Sequence, residues 1–241
     1  AFIFSFWFVI LKFLRIPYRP RVLSGMIVII LYTLMTGLGP SVVRAALMLL
    51  FVLAGKLIDR DTHSVSLLSF VAVLMLIYNP AYINNVSFQM SFLVTFGLIT
   101  TAGILTQKLN KIPNWICVPV LVPLVAQIWI APIQMFYFNT FSLYSILANI
   151  STVSLLSVIS FCGFVSSLIA VFVPLTDFTC RIFDFILNYL LSALVWMSNF
   201  FANLPHCLLQ TTHPNIFQLI FYYSIPVSYT HLRAHETVLD L

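Results

Sequence analysis

The chain has 241 residues, of which 61% are apolar, 15% aromatic and only 7% charged, with a formal net charge of +5 and a mean hydropathy of +1.07. Soluble domains carry about a quarter of their residues as charged side chains, so a soluble globular domain is excluded and an integral membrane protein is expected. Apolar runs recur along almost the whole length and leave no stretch polar enough for a separate soluble domain.

Apolar stretches near twenty residues, bounded by charge, Pro and Asn, predict segments over 1–14, 22–37, 41–59, 64–79, 86–107, 114–137, 143–173, 181–203 and 214–227. The expected fold is an all-α, polytopic helical membrane protein of eight or nine segments, some of them broken. The first stretch, AFIFSFWFVILKF, has no initiator Met, basic n-region or small-residue cleavage site, so it is expected to be a truncated span inside a longer chain rather than a signal peptide. The third begins with TGLGPSVVRAALML and places Arg44 three residues inside an apolar helix.

The sixth segment, WICVPVLVPLVAQIWIAPIQMFYF, holds Pro119, Pro123 and Pro132. Each proline removes a backbone donor and bends a helix. Lipid cannot satisfy the carbonyls that are freed, so this helix is expected to border protein or water, although an ordinary kinked span fits as well. The seventh segment is too long for one straight span, and Asn149 with the polar stretch NISTVS predicts a break, with a short interfacial or re-entrant piece before the full crossing. The final stretch, VSYTHLRAHETVLDL, changes composition abruptly after Pro226; residues 227–241 are expected to be a non-native, read-through tail, leaving 1–226 as one membrane domain.

Basic residues set the expected orientation. Lys12 to Arg21, Lys56 and Arg60, Lys108 and Lys111, and Arg181 occupy alternate connections, whereas GLGPS, NPAYINN, NTFS and NLPHCLLQTTHPN carry no Lys or Arg. The basic connections are therefore assigned to the cytoplasm. Arg44, Asn79, Gln89, Gln134 and Asn149 then fall in the outer part of the bilayer, with Gln127 deeper, and an inward-facing cluster is favoured because polar groups find no partners in lipid. Two readings fit Arg44. It can extend to the nearby outer surface as an anchor, or it can meet an anion or a buried polar group; the absence of any other Lys or Arg on that side before the tail tips the balance to the second.

No hydrolytic constellation is present. Asp59, Asp61, Asp177 and Asp184 sit at cytoplasmic span ends as solvated caps. His206 and His213 lack nearby acids or a Cys pair, and the His231/His235 spacing in the tail lacks a third ligand. Cys117, Cys162, Cys180 and Cys207 are widely spaced without a CxxC pattern and are read as packing residues. No P-loop, GxGxxG or HExxH pattern occurs. Catalytic residues, a metal and a cofactor are all expected to be absent.

Taken together, TGLGPSVVRAALML, NPAYINNVSFQMSFLVTFG and VAQIWIAPIQMFYFNTFSLYSILANI resemble, in order and spacing, the competence domain of the ComEC family over about residues 20–205. Arg44 and Ala45 match its Arg-Ala pair with Gly37 and Ser41 ahead of it. Asn79 and Pro80 match its Asn-Pro. Phe88, Gln89, Ser91 and Phe92 match its Phe-Gln-Leu-Ser-Phe, with Met90 in place of Leu. Gln127 and Pro132 fit a broken sixth span, Phe138 its aromatic end, and Asn149 the Ala-Asn that follows. Asn85 stands where the family usually has aspartate, so Arg44 lacks one obvious counter-ion. Val86 and Ser87 replace a common Pro-Gly, and a Pro shortly after the Ala-Asn is missing.

The resemblance implies a bacterial inner-membrane channel for single-stranded DNA in natural transformation. Its implied partners are the strand itself, the lipid bilayer, a second copy of the chain in a homodimer, and soluble competence proteins that include a cytoplasmic ATP-driven motor. The family's OB-like and metallo-β-lactamase-like soluble domains have no counterpart in these residues, so no nuclease activity is expected. A secondary transporter for a small anion or metabolite also suits broken helices and buried polar groups, but neither the Arg-Ala nor the Phe-Gln motif has a second copy later in the chain. A structural membrane module that holds soluble partners is the third reading and predicts no continuous polar path.

Overall fold

Backbone amides in an apolar run have no partners but one another, so such runs become helices. That is what the computed structural model shows across the residues it describes, 2–60, 62–102, 114–172, 177–205, 207–211 and 214–224. They group into two units, one within 1–101 and one within 102–241. Asp61, Lys108, Lys111, His206, His213 and the tail from 227 onward lie outside the described residues.

The first unit comprises α1 (Phe2–Phe13), α2 (Tyr18–Met35), α3 (Pro40–Leu57), α4 (Ser64–Tyr78), a 3₁₀ turn (Pro80–Asn84) and α5 (Val86–Gly97), which runs into a π-helical turn at Leu98–Ala102. Helix α3 is its centre and packs against α2, α4 and α5. Ala46 and Leu53 join Val22 and Ile29 of α2 in one apolar cluster, while Val43, Leu47 and Phe51 press on a second built from Leu67, Val71, Met75 and Phe88. Turn chemistry sets the ends of these helices. Gly37 terminates α2 with φ of +84°, a conformation that L side chains rarely adopt. Pro40 occupies the first turn of α3, where its missing N–H costs nothing.

In the second unit, α6 (Asn114–Phe138) leads to β1 (Thr140–Ser142), α7 (Ser145–Phe172), α8 (Asp177–Ala202), β2 (Leu208–Gln210) and a helical stretch over 216–224. Helix α7 packs against both α6 and α8. The two strands pair antiparallel, Thr140 with Gln210 and Ser142 with Leu208, and the pairing is extended by Thr211 N–H donating to the Asn139 carbonyl at 3.0 Å. The connections NTFS and NLPHCLLQTTHPN, both free of Lys and Arg, thus meet in one small sheet. Much of α8 is bare: Phe185, Tyr189, Trp196 and Phe200 are exposed large apolar side chains, as lipid-facing positions are.

Five of the described helices are long and apolar enough to cross a membrane: Tyr18–Met35, Pro40–Leu57, Pro119–Phe138, Ser145–Ser167 and Phe183–Ala202. At about 1.5 Å per residue, α4 with 15 residues falls short of a hydrocarbon core of roughly 30 Å.

Two expected breaks are corrected. The seventh segment is one uninterrupted helix of 28 residues. The polar stretch does not open it because Ser151 Oγ donates to the Leu147 carbonyl at 2.8 Å and Thr152 Oγ1 to the Ala148 carbonyl at 2.7 Å, so these hydroxyls satisfy themselves inside the helix. The sixth is likewise a single helix of 25 residues with Pro119, Pro123 and Pro132 inside it. Among the described residues a helical irregularity also lies in the fifth segment, at the π turn, where Thr100 Oγ1 donates back to the Phe96 carbonyl at 2.8 Å.

Candidate functional site

In the first unit the motif NPAYINNVSFQMSF folds as a self-contained turn. Asn79 ends α4 and caps the 3₁₀ turn, its Oδ1 accepting from Ala81 N–H at 3.0 Å, and Pro80 follows in the first position of that turn. Asn85 then caps α5, its Oδ1 accepting from Ser87 N–H at 2.9 Å and Phe88 N–H at 3.3 Å. Gln89 reaches back, its Nε2 donating to the Ile83 carbonyl at 2.7 Å. Phe88 is buried, stacks on Tyr82 with ring centroids 6.2 Å apart and packs on Phe92 at 4.4 Å. The half-buried Ser91 lies between these rings in sequence, and its carbonyl accepts from Thr95 Oγ1 at 2.9 Å.

Against this turn stands α3. Gly37 closes the preceding helix, Ser41 is in the first turn of α3, and Arg44 follows one turn on. The Arg44 guanidinium carbon lies 5.8 Å from the centroid of the Phe92 ring, within the range of a cation–π contact. Its Nε is buried with no hydrogen-bond partner. The structure therefore brings Arg44 to α5 through an aromatic face, while the amides of Asn79 and Gln89 bond to the backbone of the turn.

The second unit carries Gln127, Pro132, Gln134 and Asn149. Gln127 and Gln134 are seven residues apart on α6, hence on one face, and both are half-buried. Asn149 is exposed on the second turn of α7. A cavity of about 420 Å³ opens beside α6, lined there by Gln127, Ala131, Pro132 and Met135, and on its other sides by Phe141 of β1, Ile146 of α7 and the helix over 216–224. It includes Gln127 and Pro132 but not Gln134 or Asn149. The Nε2 of Gln127 is buried without a hydrogen-bond partner.

Pro132 explains how this wall is built. Its ring leaves the carbonyl four residues earlier, that of Ile128, without its helical donor, and Tyr222 Oη donates to that carbonyl at 3.1 Å. Tyr223 Oη donates to the next one, Trp129, at 2.8 Å, and the two rings stack with centroids 5.9 Å apart. At Pro132 the freed carbonyl is thus satisfied by protein, through a tyrosine of the last helical stretch. Among the described residues no group of three or more His, Cys, Asp or Glu is placed to hold a metal ion.

The family described as competence protein matches residues 1–234. The chain belongs to the competence protein family. One relative is "ComE operon protein 3" of Bacillus subtilis (strain 168), 34% identical over 116 residues, which are 48% of this chain and 14% of that protein. The alignment therefore spans a small part of the relative's length. No solved structure matches the chain.

In this competence-family chain the residues that finish both sites carry only weak sequence signals. Phe92 stands out in the sequence only as part of a motif, yet it is the face that Arg44 meets. Asn85, expected as a missing counter-ion, is instead an N-cap, legible as an Asn directly before an apolar helical run. Tyr222 and Tyr223 sit inside an apolar run; their signal is two adjacent hydroxyls in such a run together with a proline elsewhere that frees a carbonyl.

Proposed function

We propose that this chain forms part of the membrane pathway through which single-stranded DNA enters a bacterial cell during natural transformation. Membership of the competence family and the likeness to a ComE operon protein support DNA uptake as the process. One observation carries the finer reading: Arg44, a cation on an apolar helix, has its guanidinium over a ring and a buried Nε without a hydrogen-bond partner. A strand carries one negative charge per nucleotide, and a path that must let it move needs positive charge that is not already neutralised.

In this reading residues 1–226 are one competence-type membrane domain of eight or nine segments, with α4 and α5 as short members of the set, and 227–241 are a non-native tail. The protein sits in the bacterial inner membrane with its basic connections in the cytoplasm, where a soluble ATP-driven motor and other competence proteins act with it, and two copies of the chain associate as a homodimer. Arg44, Gln127, Gln134 and Asn149 offer polar contacts to the strand; Asn79 and Gln89 hold the turn on which Arg44 and Phe92 depend.

Replacing Arg44 by alanine in the intact protein, Arg44→Ala, is expected to abolish transformation while membrane insertion and protein level stay normal. Unchanged transformation frequency would remove Arg44 from the path. Loss of a small-solute flux with DNA uptake intact would instead favour a transporter.

A further inference from the structure

The cavity of the second unit has a wall fixed in advance. The hydroxyls of Tyr222 and Tyr223 donate to the carbonyls of Ile128 and Trp129, so the side-chain donors left beside the cavity lie in two carboxamides. Gln218 is engaged at its Oε1, which accepts from Asn215 N–H at 2.9 Å; its Nε2 protons remain to be donated. Gln127 has a buried Nε2 without a partner, and a half-turn of its carboxamide exchanges nitrogen and oxygen with little change of shape.

Three properties narrow the ligand. The volume of about 420 Å³ lies in the range of small-molecule sites, which combine apolar walls with a few polar groups. None of the lining residues is Lys, Arg, Asp or Glu, so nothing here would neutralise a phosphate. Flat groups, the rings of Phe141 and Tyr222, form part of the wall. An acyl chain would fit the apolar surface but leave the Gln127 amide unpaired in a buried place, which is disfavoured. A nucleobase has two apolar faces and an edge of donors and acceptors, and a glutamine amide pairs with such an edge in bidentate fashion.

We propose that this cavity receives one nucleobase turned out of a single strand, with the sugar-phosphate chain remaining outside it; the proposal rests on the DNA-uptake reading above. The test uses the intact protein in lipid nanodiscs and a short single strand carrying one 5-iodouracil, irradiated and mapped by mass spectrometry, with total strand retention measured in parallel. Crosslinks are expected on the peptides holding Phe141 or Tyr222. Unlabelled strand should compete them away, and a strand of equal length made of abasic sites should compete about tenfold less well, because it keeps the charge and lacks the bases. Gln127→Leu should lower the crosslink yield at these two positions severalfold, a larger factor than any accompanying loss of total strand retention. A strand that is retained but crosslinks only elsewhere, or that abasic competitor displaces equally well, overturns the pocket and leaves DNA uptake standing. A lipid chain found in the cavity that strand does not displace overturns it in favour of lipid. Failure of the intact protein to retain any strand overturns the pocket together with the reading beneath it.

Discussion

Asn85 shows how one side chain can answer a different question from the one its position poses. Where an aspartate would have suggested a partner for Arg44, the asparagine gives its oxygen to Ser87 and Phe88 N–H and starts α5. An N-cap of this kind contributes about 1 kcal/mol. Asn85→Ala is therefore expected to destabilise the protein by about 1 kcal/mol in denaturant titration in detergent, whereas Asn85→Asp should retain the cap, and gain slightly from the positive end of the helix dipole. If alanine were as stable as asparagine, the cap would not be holding the turn. Arg44 belongs to the same scale. Sequence placed it near a helix start, but only the folded chain shows that its neighbour is an aromatic ring, because Phe92 lies on another helix far along the sequence.

Among the elements, α6 and the helix over 216–224 depend on each other through a missing bond. Pro132 leaves the Ile128 carbonyl unpaired and Tyr222 takes it up. In membrane proteins such hydrogen bonds contribute about 0.6 kcal/mol on average, up to about 1.7. Tyr222→Phe should then cost about 1 kcal/mol in wild type and close to nothing in a Pro132→Ala background, where the substituted alanine would restore a helical N–H to the same carbonyl. Equal costs in both backgrounds would mean that the hydroxyl acts elsewhere. The uninterrupted α7 teaches the complementary point. Its polar stretch reads as a break, yet serine and threonine hydroxyls bond one turn back within the same helix. Polarity along a span predicts a break only when the side chains cannot satisfy themselves locally.

At the scale of the whole molecule, the chain is a helical membrane protein of the competence family, and its connections sort by charge. The two connections without Lys or Arg in the second unit pair as β1 and β2, which requires them to lie on one side of the bilayer. In a cysteine-free background, single cysteines replacing Asn139 and Gln210 are expected to react with a membrane-impermeant maleimide from the same side, and a cysteine replacing Lys56 from the opposite side, in intact cells. Labelling of 139 and 210 from opposite faces would contradict the strand pairing. Labelling of position 56 from outside would contradict the charge-based orientation.

Composition and hydropathy alone determined that the protein is helical and lies in a membrane, because an apolar solvent leaves a backbone few other ways to satisfy its amides. Motif order alone indicated the family, and turn residues such as Gly37, Pro40 and Pro80 marked where helices stop and start, since their dihedral and donor limits are local properties. What only the tertiary structure decided is which groups meet across the fold. The ring facing Arg44, the hydroxyls answering Pro132, the strand pairing between distant connections and the cavity beside Gln127 each join residues far apart in the chain. Such pairings depend on how helices rotate and stack, and in a chain so uniformly apolar the hydrophobic pattern does little to set that rotation, because lipid accepts almost any face.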